Sequence, residues 1–208
     1  MKTLEEQFIS ACSKNDITLV KNYLNKMELN IQHNDNMAFK NACINNNVDI
    51  VNLLLNIDDE RKIQFDQDIY WVVYSSCVNG YLDILQSLFN EKGERKIQFD
   101  KEQMGIKNLN SVFCEACQYN QLDIVEYLLS LKDERKIDTH HSNQLAFTNS
   151  YKSNHYEITK RLLKCNGKQK IELKVISNHI LGYLRKHNQL KMIKIILENS
   201  DTNHFLSA

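Results

Sequence analysis

"FCEACQYNQLDIVEYLL", residues 113–129, starts as one apolar segment, pauses at Tyr119-Asn120 and resumes as a second. Phe113 and Ala116 stand at i and i+3, a bulky anchor beside a small residue on one helical face. Asn120 falls where that helix would stop. Asn and Gly tolerate the left-handed conformation of a helix C-cap, in which other side chains clash. Leu122, Ile124, Leu128 and Leu129 then line the apolar side of a second helix. The stretch reads as helix–turn–helix.

The same frame fits five further segments. They are "FISACSKNDITLVKNYL" (8–24), "FKNACINNNVDIVNLLL" (39–55), "VYSSCVNGYLDILQSLF" (73–89), "FTNSYKSNHYEITKRLL" (147–163) and, more loosely, "LGYLRKHNQLKMIKIIL" (181–197). The copies begin at 8, 39, 73, 113, 147 and 181, in steps of 31, 34, 40, 34 and 34. A period near 34 over nearly the whole chain is the mark of a repeat architecture. The turn column holds Asn15, Asn46, Gly80, Asn120, Asn154 and Asn188, and so satisfies the C-cap requirement in every copy. Each unit carries more apolar surface than two short helices can hide alone, and stacking on neighbours buries it. Thr3 and Glu6 form a T-x-x-E capping box for the first helix. Lys191 and Lys194 mark the last copy as solvent-facing. The expected fold class is all-α, a single solenoid domain over 1–208 of six helix–turn–helix repeats with short connecting fingers.

"ERKIQFD" at 60–66 and 94–100, with "ERKID" at 134–138, belongs to this period. Ile63, Ile97, Ile137 and Ile171 each fall eight residues past the last apolar position of a second helix. The motif is therefore a connection, with Glu60, Glu94 and Glu134 expected beside Arg61, Arg95 and Arg135 of neighbouring loops. The long 40-residue step places six extra residues within "DKEQMGIKNLNS", 100–111. These are expected to form a projecting loop with an apolar tip at Met104, rather than an extension of a second helix.

Composition narrows the function classes. The formal net charge is +0, so no overall field calls for nucleic acid or an anionic membrane. Charge is nevertheless uneven: residues 1–104 carry 11 Lys/Arg and 16 Asp/Glu, residues 145–208 carry 11 and 4. That polarity marks either two partners or ordinary solvated faces. Acidic residues precede any apolar run at the start, unlike a signal peptide, and no stretch approaches the ~20 apolar residues of a membrane span. Six cysteines without a secretory signal suggest reduced thiols and a cytoplasmic setting.

Two short helices per unit, a small-residue column, "LDIVEYLL" and the 34-residue step resemble the ankyrin repeat, over about residues 3–200. The family's T-P-L-H tetrapeptide is missing, since the chain has no proline. Its helix-joining Gly-His survives only as Gly80-Tyr81 or as Asn-X. The variant "F..AC..N.LDIV.YLL.L" with its enlarged "DERKI" loop looks like the arrays encoded by giant DNA viruses of amoebae. The resemblance implies a protein–protein interaction module, a viral protein acting on a host factor in the host cytoplasm, that binds through its fingers and concave face. Carried onto this chain, the contact positions are Asp66, Asp68, Asp100, Lys101, His140 and His141 on the fingers, with Tyr119 at a helix end. Tyr70 and Trp71 stand where the family keeps a polar residue. Trp71, the sole tryptophan, either is an exposed anchor or tucks between fingers.

Other chemistry finds little purchase. Cys114-x-x-Cys117 has half the spacing of a zinc or redox site, yet Cys12, Cys43, Cys77 and Cys117 share one repeat column and read as small core residues. His140-His141 are adjacent loop residues without evident further ligands. Five glycines leave no phosphate-cradling loop, and no nucleophile–base motif is visible. No enzyme, cofactor, metal or small-molecule substrate is expected. The alternative is nucleic-acid or acidic-ligand binding through Lys160, Arg161, Lys164, Lys168, Lys170, Lys174, Arg185 and Lys186, without the interleaved aromatics of a stacking platform.

Overall fold

In the computed structural model, residues 2–99, 105–173 and 177–199 are described. Every regular element among them is helical, and the α-helices come in pairs. The pairs are α1 (Leu4–Ser13) with α2 (Ile17–Leu24), α3 (His33–Ile44) with α4 (Val48–Leu55), and α5 (Ile69–Asn79) with α6 (Leu82–Asn90). After these follow α7 (Leu109–Gln118) with α8 (Leu122–Ser130), α9 (His141–Lys152) with α10 (Tyr156–Leu163), and α11 (Ser177–Lys186) with α12 (Leu190–Glu198). No helix is long and apolar enough to cross a membrane among these residues. The chain divides into two compact units, Met1–Phe99 and Asp100–Ala208, and the division falls at the start of the long step.

Helices of eight to twelve residues are marginal alone, so their stability comes from packing. In the first unit α1, α3 and α5 stack as one layer and α2, α4 and α6 as another, each pair closed on itself. In the second unit α7 packs on α9, while α8, α10 and α12 stack in series. Phe39 and Phe113 sit in the core, with Ala42 and Ala116 fully covered where helices approach closely. Ile63, Ile97, Ile137 and Ile171 are buried too, pinning each connection to the core. Within the first unit Ile50 and Ile84 are fully covered, but Leu19 at the same register of α2 is 37% exposed.

The turn column behaves as its residues require. Asn15, Asn46, Gly80, Asn120, Asn154 and Asn188 all have positive φ, between 55° and 77°. Thr3 and Glu6 form the reciprocal capping box that opens α1. The position after the left-handed residue ties pairs together. Asn47 Nδ2 donates to Cys12 O at 2.7 Å, His155 Nε2 lies 2.7 Å from Gln118 O, and Gln189 Nε2 donates to Lys152 O at 3.4 Å. Each satisfies a carbonyl left unpaired at the end of the preceding pair's first helix.

A second tie lies three residues before the Phe column and reaches 28 residues onward. Asn36 Nδ2 donates to Gln64 O at 2.9 Å and the Tyr70 hydroxyl to Gln98 O at 2.5 Å. Asn110 Oδ1 accepts from Asp138 N at 2.8 Å, and Gln144 exchanges two bonds with the backbone of Glu172. Asn36 and Gln144 each close a run of three left-handed residues, 34–36 and 142–144, at the same register. Left-handed turns without glycine cost roughly 1–2 kcal/mol per residue, and the hydrogen bonds these amides make to the next connection offset part of it.

The connections differ from the expected Glu–Arg ladder. Arg61 forks onto Asp59 and donates from Nη1 to Leu24 O at 3.1 Å; Arg95 pairs with Glu91 and donates to Leu55 O at 3.0 Å. Leu24 and Leu55 end α2 and α4, so each guanidinium caps the second helix of the pair before the one it follows, where the helix dipole favours a cation. The helical carbonyl outcompetes an exposed glutamate because it is otherwise unpaired. The 40-residue step does not lengthen α6, which ends at Asn90. Its last residues form a turn, Asn108 N donating to Gly105 O, and the buried Asn108 side chain caps α7.

Candidate interaction surface

The first helices of the second and third pairs present an apolar side to solvent. Met37 on α3 and Trp71 on α5 share one register position, and Ile44 and Val78 share another seven residues later. Spacing of i and i+7 keeps each pair on one helical face, and α3 packs directly on α5. Met37 and Ile44 are exposed, and Trp71 is 52% exposed. The Trp71 indole stacks on the Tyr74 ring, centroids 5.2 Å apart at 22°, so it lies flat on its helix and not between fingers. Stacking fixes the rotamers of both rings before any partner arrives, which lowers the ordering cost of contact.

Beside this face Lys40 Nζ contacts Asp66 at 3.1 Å and Asp68 at 2.6 Å. Burial opposes the Lys40 charge, but the hydrogen bonds it donates to Asp68 and Asp66 outweigh this and hold its pKa above the ordinary lysine value. Both aspartates thus have an internal cation, shared between them. Tyr70 is half-buried, with its hydroxyl on Gln98 O and its ring edge on Phe99 at 6.0 Å. It holds the next connection in place.

Tyr119 is 49% exposed at the C-terminal end of α7, in the second unit. The two histidines diverge. His140 lies 3.6 Å from Asp138 through Nδ1 and 3.9 Å from Glu172 through Nε2. His141 Nε2 instead meets Ser111 Oγ at 3.2 Å, on α7 of the preceding pair. Asp100, Lys101 and Met104 lie outside the described residues, as does Lys174.

Of the basic residues, Arg161 pairs with Glu126 at 2.6 Å and Lys160 with Glu157 at 2.8 Å. Lys164, Lys168, Arg185 and Lys186 are exposed. All six cysteines are buried free thiols. Burial pushes Cys12 and Cys114 up to about 12 and Cys117 well above the ordinary value, so none is a ready thiolate nucleophile or ligand at neutral pH. Among the described residues no three His, Cys, Asp or Glu side chains are placed to share a metal ion.

Sequence reasoning singled out Trp71 and missed Met37, Ile44, Tyr74 and Lys40. The signal was present as apolar positions 37 and 44, and 71, 74 and 78, recurring at helical spacing off the core columns. No family model, curated protein or solved structure matches the chain.

Proposed function

We propose that this chain is a divergent ankyrin-repeat array, resembling those of giant DNA viruses of amoebae, that binds a partner protein and catalyses no reaction. The paired helices, the six left-handed joints and the bonds from Asn47, His155 and Gln189 to the preceding pair support the family reading. Under it the reduced thiols suit a cytoplasmic, host-cell setting. One observation carries the binding reading: Trp71 is half-exposed and stacked on Tyr74, with Met37 and Ile44 also exposed on the adjoining helix α3. Contiguous apolar surface anchored by tryptophan is a common mark of an interface hot spot.

The test is capture from amoebal or other eukaryotic lysate with the wild-type chain and a Trp71→Ala/Ile44→Ser variant, washed at low and high salt. A protein retained at high salt and lost from the variant is the expected result. Nucleic acid or acidic proteins that leave with salt and ignore the variant would move the function to the exposed basic residues of the second unit.

A further inference from the structure

The charge around the α3–α5 face defines what docks on it, an argument that rests on the binding reading above. Residues 1–99 contain 10 Lys/Arg and 14 Asp/Glu, a net of −4. Asp68 stands one helical turn before Trp71, whose backbone N–H donates to the Asp68 carbonyl at 3.0 Å. Lys40 serves both Asp66 and Asp68, one ammonium against two carboxylates. Its side chain is 13% exposed whereas that of Asp68 is 67% exposed, so the cation is tucked in and the surplus negative charge faces water. Half-exposed aromatic surface one helical turn from an undercompensated carboxylate suits a guanidinium. Arginine stacks on aromatic faces and forks onto a carboxylate, and its weak hydration makes leaving water easier than for an ammonium. An acidic partner would meet like charge at the same place.

We propose that the α3–α5 face takes a polypeptide segment carrying an arginine beside a large apolar side chain, the guanidinium docking at Asp68 and Trp71 and the apolar group on Met37 and Ile44. A short random-peptide library displayed on phage, selected on the immobilised full chain and counter-selected on Trp71→Ala, supplies the probes. Selected peptides are then synthesised and titrated while following emission from Trp71, the sole tryptophan. The expected result is arginine next to a large apolar residue, with affinity about tenfold or more weaker for Asp68→Asn, whose folding is checked by circular dichroism. Trp71-dependent peptides that lack a basic residue, or that ignore Asp68→Asn, would overturn the arginine assignment and leave the face as a binding surface. Failure to recover any Trp71-dependent peptide would remove both. Sedimentation of the chain alone closes the remaining route. A dimer abolished by Trp71→Ala would make a second copy the occupant and overturn the proposal.

Discussion

Asn120 and its counterparts work because a backbone conformation is scarce. At φ of 61° the Asn120 side chain is tolerated where a β-carbon-bearing apolar residue would clash. Asn120→Ala is expected to lower stability by about 1 kcal/mol and Asn120→Gly to raise it slightly, read as opposite shifts of the urea midpoint. The buried thiols carry a pH signature. Cys12 and Cys114 ionise near 12 in the folded chain because burial penalises the thiolate, against 9.0 when unfolded. A raised folded value means their contribution is intact below pH 9.0 and is lost as pH rises from there toward about 12. Urea midpoints should therefore fall through this window, and Cys114→Ala should flatten the fall. A slope unchanged by that substitution would assign the alkaline loss to other groups.

Among the elements, the connections do more than join helices. Arg61 caps α2 from the next connection while its other edge holds Asp59, keeping that carboxyl below its ordinary value. Arg61→Ala should cost about 1–2 kcal/mol, and Arg61→Lys should fail to restore it, because an ammonium cannot fork onto Asp59 and reach the Leu24 carbonyl together. Thermal denaturation of the two variants checks this; recovery with lysine would mean that charge alone suffices. Gln144 plays the corresponding part between the fifth and sixth pairs, with both amide atoms bonded to Glu172. Gln144→Ala should speed amide exchange in α11 and α12 while α7 and α8 keep their protection. Asn36 does the same with a shorter side chain, and its Oδ1 remains buried without a partner.

For the molecule as a whole, the unit Met1–Phe99 contains three helix pairs and the entire apolar face. Three stacked pairs reach the usual minimum for a stable repeat array. A fragment of residues 1–99 should fold, show helical circular dichroism with a cooperative melt, and retain any binding that Trp71→Ala abolishes. A fragment that folds yet loses that binding would show that the second unit supplies part of the surface.

How much was legible depended on whether a feature repeats along the chain or arises between copies. The left-handed joints, the buried Phe and Ile columns and the capping box at Thr3 were readable, because each follows from what one residue type tolerates within a few neighbours. Periodicity multiplied that signal sixfold. The connection chemistry was not readable in the same way. Arg61 reaches Leu24 across 37 positions, Tyr70 reaches Gln98 across 28, and Lys40 reaches Asp68 across 28. A period states that copies stack, but not how one pair turns on the next, and that rotation selects which side chains meet. It joined Tyr70 to the next connection, left both Trp71 and Met37 on the surface, and set one lysine against two aspartates. Local backbone limits wrote the helix pairs into the sequence; the packing of one pair on another made the surface.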